Sequence, residues 1–220
     1  MIDKMRDALM GSAEAHGVTV KKLLPRGKDG IVAMLTDGRI LKITTSKIEA
    51  AIAITCATGT FRHPSVPHFH SAHAIDGTCW AIIRDDVSDA TPAHPMNRAR
   101  ALYNIAWSDG DDKLAENILN DARPHGPWLD QLHQGLRALK NSLGIRITDL
   151  SADNVGICKT GRIGVRDLGR GAADPERIER IIALIPDIGE VNSKNATGTK
   201  AAPRNDAKSL NSWKNSQEAR

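Results

Sequence analysis

The sequence predicts an α+β protein, with a small antiparallel sheet in its first part and mainly helices in its second part. Three short runs rich in apolar and β-branched residues, at 18–24, 31–35 and 40–44, are separated by glycine-containing turns. Such runs are typical of an antiparallel meander. Later in the chain, leucines recur at three- and four-residue steps over residues 128–143, the period of an amphipathic helix that ends at Gly144.

The remaining elements follow from similar signals. Alternating charged and small apolar residues predict a leading helix that ends at Gly17. Ser46, followed three residues later by Glu49, matches a capping box at the start of a helix rich in alanine and isoleucine. A buried strand is predicted at 78–84, and further helices at 95–107, 113–122 and 175–184.

The composition is that of an ordinary globular protein, with 220 residues of which 40% are hydrophobic and 25% charged. No window approaches the roughly 18 apolar residues of a membrane span, and the charged N-terminus lacks the apolar core of a secretory signal. The three cysteines are odd in number and widely spaced. We therefore expect a cytoplasmic protein with reduced thiols and no membrane partner.

The basic charge is concentrated at the C-terminus. Residues 190–220 hold six basic and three acidic residues, so this tail carries +3 of the formal net charge of +4. The tail is also poor in apolar residues and shows no periodicity, which predicts a disordered segment. Because the rest of the chain is close to neutral, we do not expect nucleic acid as a partner.

Two carboxylates and an amide surround a predicted β-hairpin in the second half. Asp149 precedes the hairpin, Asn154 lies at its entrance, and Asp167 follows its second strand. Side chains placed in this way converge in space, and their oxygen atoms suit a divalent cation that is bound to phosphates. Each residue taken alone is also typical of a turn or a strand end.

Lys42 lies inside an apolar strand, where its ammonium group must reach water or an anion. It is either a lysine of an edge strand with a solvated head, or a lysine that holds nucleotide phosphates. In the second case the turn from Gly27 to Gly30, with Val32 behind it, would cover the phosphates. Glu49 either pairs with Lys42 or only caps its own helix.

This ordered set resembles the protein-kinase superfamily, in which D-L-x-x-x-N is followed by D-F-G. Here the first motif spans 149–154 and the second is D-L-G at 167–169. The resemblance implies a two-lobed kinase-like fold with a small antiparallel-sheet N-lobe at 1–87 and a reduced helical C-lobe at 88–189. The disordered basic tail at 190–220 would follow.

The resemblance also implies Mg²⁺-dependent transfer of the γ-phosphoryl group of ATP to a hydroxyl group. Asp149 would be the catalytic residue, Asn154 and Asp167 would bind Mg²⁺, and Lys42 would fix the α- and β-phosphates. Nucleotide contacts are expected from Gly27, Gly30, Val32, Glu49 and, at the hinge between the lobes, the backbone of Asp85 and Asp86.

Two departures from the family pattern bear on the substrate. Ile147 and Thr148 stand where kinases have histidine and arginine, and no A-P-E motif follows Gly169. A chain this short after Gly169 lacks room for the later helices of the family. The acceptor is expected to be a protein serine or threonine, with a small hydroxylated molecule as the alternative. A kinase-like binding or regulatory module without catalysis is the competing hypothesis.

Overall fold

The computed structural model describes residues 2–25, 30–89 and 94–187, and shows a mixed α+β protein with a small antiparallel sheet. Its helices are α1 Ile2–Ala15, α2 Lys47–Ala57, α3 His94–Ser108, α4 Asp112–Ala122, α5 Trp128–Leu143 and α6 Pro175–Ile182. Its strands are β1 Val20–Leu23, β2 Gly30–Leu35, β3 Ile40–Thr44, β4 Phe69–Ala74, β5 Trp80–Arg84, β6 Ser88–Asp89, β7 Arg146–Ile147, β8 Val155–Ile157, β9 Ile163–Val165 and β10 Gly171–Ala172.

The main sheet has five strands in the order β1-β2-β3-β5-β4, and neighbouring strands are antiparallel. β3 is therefore the central strand, with Lys42 paired to Val32 on one side and to Ile82 on the other. The interpretation of Lys42 as a lysine of an edge strand is wrong. Every residue of β3 is buried, so the ammonium group of Lys42 must find its partners inside the protein.

The two faces of this sheet are covered by different elements. α1 packs against one face, where Met5 and Leu9 join Leu41, Ile43 and Ile83 in a buried apolar cluster. Because side chains alternate along a strand, the intervening positions of β3 and β5 point to the opposite face. There Trp80 and Ile82 join a larger core that α2 and the later helices share.

α2 is enclosed on all sides. Ser46 caps its first turn by accepting a hydrogen bond from the Glu49 N–H at 3.3 Å. Residues 49–56 are all buried, because α2 lies between the main sheet and α6. α6 is tied to α2 by an ion pair between Lys47 and Glu179. Beyond α6 the chain reaches the sheet edge, where the Ala74 N–H donates to the Pro186 carbonyl at 2.9 Å.

The second half of the chain is built on α5. Its predicted apolar stripe is confirmed, because Leu129, Leu132, Leu136, Leu139 and Leu143 are all buried. The helix ends at the left-handed Gly144, as predicted.

The predicted hairpin is confirmed as β8 and β9, which pair with each other, and β9 packs on α5. The two-residue strand β6 pairs with β8 and extends the hairpin, whereas β7 and β10 pair with each other in a separate two-stranded sheet. These short strands were not predicted. The tail at 190–220 lies outside the described residues. Within the described residues, no helix is both long and apolar enough to span a bilayer.

The packing of the hairpin predicts opposite effects for one substitution at two glycines. A Cβ on Gly164 would lie 2.3 Å from the Ser65 carbonyl oxygen and 2.6 Å from Cys158 Sγ, whereas a Cβ on Gly11 in α1 meets nothing within 4 Å. We expect Gly164→Ala to lower the free energy of unfolding by about 1–3 kcal/mol. Gly11→Ala should raise it by about 0.5–1 kcal/mol, since alanine favours the helix. Urea unfolding measures both, and equal effects would contradict the packing described.

Candidate active site

Lys42 forms the centre of a buried group of charges. Its Nζ atom lies 2.9 Å from Glu49 Oε1, 2.7 Å from Glu49 Oε2 and 3.1 Å from Asp167 Oδ1. The side chains of Lys42 and Glu49 are 5% and 1% exposed, whereas that of Asp167 is 32% exposed and can be reached from solvent. The Glu49 carboxylate thus pairs with Lys42, whereas the cap of α2 uses the Glu49 backbone N–H. The Ser46 N–H, from which the acid of a capping box would accept a hydrogen bond, donates to Thr44 Oγ1 at 3.1 Å.

The pKa values of this group show how the charges stabilise one another. Burial lowers the pKa of Lys42, but the charges of Glu49 and Asp167 outweigh burial and raise it above its ordinary value of 10.5. Burial raises the pKa of Asp167, but Lys42, the Gly169 N–H and Arg84 together bring it below its ordinary value of 3.8. Both groups are therefore charged at neutral pH.

The segment 167–169 is attached to the start of α2. The Gly169 N–H donates to Asp167 Oδ1 at 3.0 Å, and Ser46 Oγ donates to the Gly169 carbonyl at 2.7 Å. Leu168, between them, is 1% exposed and belongs to the main core. The same serine that caps α2 therefore also holds the segment that presents Asp167 to Lys42.

The hairpin brings Asp149 and Asn154 close to Asp167. Val155 pairs with Val165 across β8 and β9, and the next contact outward is a 2.7 Å hydrogen bond from the Arg166 N–H to the Asn154 carbonyl. Asn154 Nδ2 donates to the Asp149 carbonyl at 3.5 Å. The three residues predicted around the hairpin thus lie at one end of it, and among them Asp167 contacts Lys42.

The Asp167 carboxylate offers one oxygen atom to a cation. Both hydrogen bonds accepted by Asp167 use Oδ1, which leaves Oδ2 for a cation. Mg²⁺ in proteins typically binds one or two carboxylates and completes its shell with phosphate oxygens and water. Among the described residues no group of three or more His, Cys, Asp or Glu side chains is arranged to hold a metal on its own.

Asp149 forms an ion pair with Arg170, which the sequence did not predict. Arg170 Nη1 lies 3.1 Å from Asp149 Oδ2, and the Ser151 N–H donates to Asp149 Oδ1 at 3.3 Å. The Asp149 side chain is 24% exposed, so the pair lies at the opening of the site. Arg170 directly follows D-L-G in the sequence, and its pairing with Asp149 is visible only in the structure.

Arg84 is a second residue that sequence reasoning missed. It lies at the end of β5 and is buried, with Nη2 donating to the Arg166 carbonyl at 3.0 Å and Nη1 to the Asp85 carbonyl at 2.8 Å. Burial lowers its pKa, while the charges of Glu49 and Asp167 act in the opposite direction. Arg84 therefore ties the predicted hinge to the residue that precedes Asp167.

The predicted nucleotide-covering residues are only partly described. Gly27 lies outside the described residues. Gly30 begins β2 opposite Thr44, and a Cβ there would lie 2.0 Å from the Ile43 carbonyl oxygen. The close approach of β3 is thus sufficient to explain a glycine at position 30. Val32 is half-buried beside Lys42.

The hinge residues Asp85 and Asp86 are placed differently from each other. The Asp85 carboxylate lies 2.9 Å from His70 Nε2 and 2.8 Å from Lys159 Nζ, and it lines a cavity of about 270 Å³ that Lys42 does not line. The Asp85 N–H donates to the His68 carbonyl. Asp86 is half-buried and acts electrostatically on Arg84. The Asp85 side chain is thus directed away from the charges around Lys42.

The lowered pKa of Asp167 gives a testable pH dependence. A carboxylate whose pKa is depressed in the folded state stabilises the fold at neutral pH, and this contribution is lost as the pH falls through 3.8 and below. Asp167→Asn removes the titrating group. Between about pH 6 and about pH 3 the free energy of unfolding should therefore fall more for the wild type than for this variant.

Urea unfolding at a series of pH values measures this difference. Asp121→Asn, which removes an exposed carboxylate at the end of α4, controls for the change in net charge. Parallel pH profiles for wild type and Asp167→Asn would show that the contact with Lys42 does not stabilise the ionised carboxylate.

Comparison with known proteins does not assign a function to this site. No family model matches the sequence, and no curated protein matches it. A functional interpretation of the protein depends on the contacts around Lys42, Asp149 and Asp167.

Proposed function

We propose that the protein is an ATP-dependent phosphotransferase with a compact, two-lobed kinase-like fold. It would move the γ-phosphoryl group of Mg-ATP to a hydroxyl acceptor, with protein serine or threonine as the favoured class. The main sheet with α1 and α2 would form the nucleotide-binding lobe, and α3 to α5 with the β8–β9 hairpin would form a reduced second lobe.

The observation that supports this proposal most is the ion network of Lys42. In protein kinases a lysine on the third strand pairs with a glutamate on the following helix, and the aspartate of D-F-G binds Mg²⁺. Here Lys42 on β3 contacts both Glu49 on α2 and Asp167 of D-L-G.

The proposed chemistry follows from these positions. Lys42 would bind the α- and β-phosphates, and Mg²⁺ held by Asn154 and Asp167 would neutralise charge on the phosphate oxygens. Asp149 would accept the proton of the acceptor hydroxyl as its oxygen bonds to the γ-phosphorus. The bond from that phosphorus to the β-γ bridging oxygen breaks, and ADP leaves. Alignment and charge neutralisation account for most of the rate in such reactions, so few side chains suffice.

A second candidate function is a kinase-like binding module without catalysis. The observation in its favour is the contact between Arg170 and Asp149, because the guanidinium group occupies Oδ2 of the carboxylate and competes with the acceptor hydroxyl for it. In this case the site would still bind Mg-ATP through Lys42 and Asp167. Phosphoryl transfer therefore separates the two candidates, whereas nucleotide binding does not.

The proposal predicts that Asp149→Asn abolishes most of the transfer without preventing nucleotide binding. Loss of a general base typically reduces kcat by roughly 10²- to 10⁴-fold. The dissociation constant for Mg-ATP should change little, because Asp149 contacts the acceptor and not the phosphates. Incubation with γ-labelled ATP, Mg²⁺ and a mixture of protein and small-molecule acceptors measures the transfer, and calorimetry measures the binding.

Asp109→Asn, an exposed carboxylate in the loop between α3 and α4, is the matched control and should behave as wild type. Binding of Mg-ATP without transfer by the wild type would favour the binding module. Absence of Mg-ATP binding would exclude both candidates.

A further inference from the structure

The loop that carries Asp149 lies against α3, and this contact extends the proposed function. Ile147 and Thr148 occupy the place where kinases have histidine and arginine, so neither residue offers the usual support for the catalytic loop. The backbone on both sides of Asp149 must then be held in another way. Side chains from a single helix make these contacts.

Four side chains of α3 contact the backbone of residues 147–150. Asn104 Oδ1 accepts from the Leu150 N–H at 3.2 Å, and Arg100 Nη1 donates to the Leu150 carbonyl. Ser108 Oγ donates to the Thr148 carbonyl at 2.9 Å, and Trp107 Nε1 donates to the Ile147 carbonyl at 2.8 Å. We call Arg100, Asn104 and Ser108 the polar stripe of α3; their spacing of four residues places them on one side of the helix.

The polar stripe is itself braced. Arg100 directs Nε and Nη2 to Asn97 Oδ1 at 3.1 and 2.8 Å, which fixes the plane of the guanidinium group. Arg100 is 8% exposed, yet within the described part of the chain its hydrogen bonds go to an amide oxygen and a backbone carbonyl rather than to a carboxylate. Desolvating an arginine for the sake of backbone acceptors is costly, which argues for a position that must be held accurately.

The hydrogen bonds of the polar stripe go to the backbone of the loop and not to the Asp149 carboxylate. Its contacts end on residues 148 and 150, on either side of Asp149. The Asp149 carboxylate instead faces Arg170 at the opening of the site. The stripe thus holds the backbone on both sides of Asp149, while the two carboxylate oxygens contact the Ser151 N–H and Arg170.

We propose that Arg100 and Asn104 are positioning residues that orient Asp149 for the acceptor hydroxyl, in place of the missing histidine and arginine. This inference rests on the proposed function. Because reacting atoms must be aligned to within about 1 Å, a shift of the loop is expected to lower the rate of transfer by roughly 10- to 100-fold. Nucleotide binding through Lys42 and Asp167 lies outside the stripe and should be retained.

The test compares Asn104→Leu with the control Asn120→Leu, the same change at an exposed position of α4. We expect Asn104→Leu to lower kcat roughly 10- to 100-fold with KM for Mg-ATP within about twofold. Hydrogen exchange at the Leu150 amide should become at least about tenfold faster, because its acceptor is removed. Asn120→Leu should change none of these quantities. Arg100→Lys keeps one donor for the Leu150 carbonyl, so its kcat should lie between those of wild type and Arg100→Met.

The outcomes separate this inference from the proposed function. An active wild type whose kcat is unchanged in a folded Asn104→Leu variant, or whose Leu150 amide exchanges at an unchanged rate, would overturn the inference alone. A rise in KM for Mg-ATP as large as the fall in kcat would also overturn it, because the stripe would then support the fold in general. A wild type that transfers no phosphate would overturn both. If Asn104→Leu does not fold, Asn104→Ala and Arg100→Met decide by the same measurements.

Discussion

The charge of Lys42 is the constraint on which the rest of the structure depends. An ammonium group in the central strand of a sheet is removed from water, and its partners must come from elements that pack on the same face. One partner, Glu49, is fixed by the cap at the start of α2, and the other, Asp167, is fixed by the exit of the hairpin. The requirements of one cation thus set the position of α2 and of the loop around Asp167, which lies 125 residues after Lys42 in the chain.

Arg84 is a second buried cation, and its charge is balanced by the same two carboxylates, Glu49 and Asp167. Arg84 reaches from β5 to the backbone beside Asp167, so removal of either acid would leave excess positive charge in a buried place. Under the proposed function, phosphate groups would approach these two cations from the open side, where Asp167 is partly exposed. Such a balance suits a site that exchanges an anionic ligand, because protein carboxylates hold the cations in place when the ligand is absent.

Sequence reasoning identified the elements better than their spatial relations. The apolar period of α5, the cap of α2 and the hairpin have local signals, and the structure confirms them. Strand order has no local signal, so the central position of Lys42 could not be distinguished from an edge position. Arg84 and Arg170 act through residues distant in sequence, and strands of two residues such as β6 are too short to show a period. The closeness of Asp149, Asn154 and Asp167 was predicted because a hairpin fixes the separation of its ends.

The packing of α6 has a consequence for how the protein could be controlled. In many signalling enzymes the helix that carries the paired glutamate swings between two positions, and this movement switches activity. Here α6 and the chain after it attach α2 to the sheet through the Lys47–Glu179 ion pair and the contact of Ala74 with Pro186. A helix enclosed in this way has little freedom to swing. If the protein transfers phosphate as proposed, the pairing of Lys42 with Glu49 would therefore not serve as its switch.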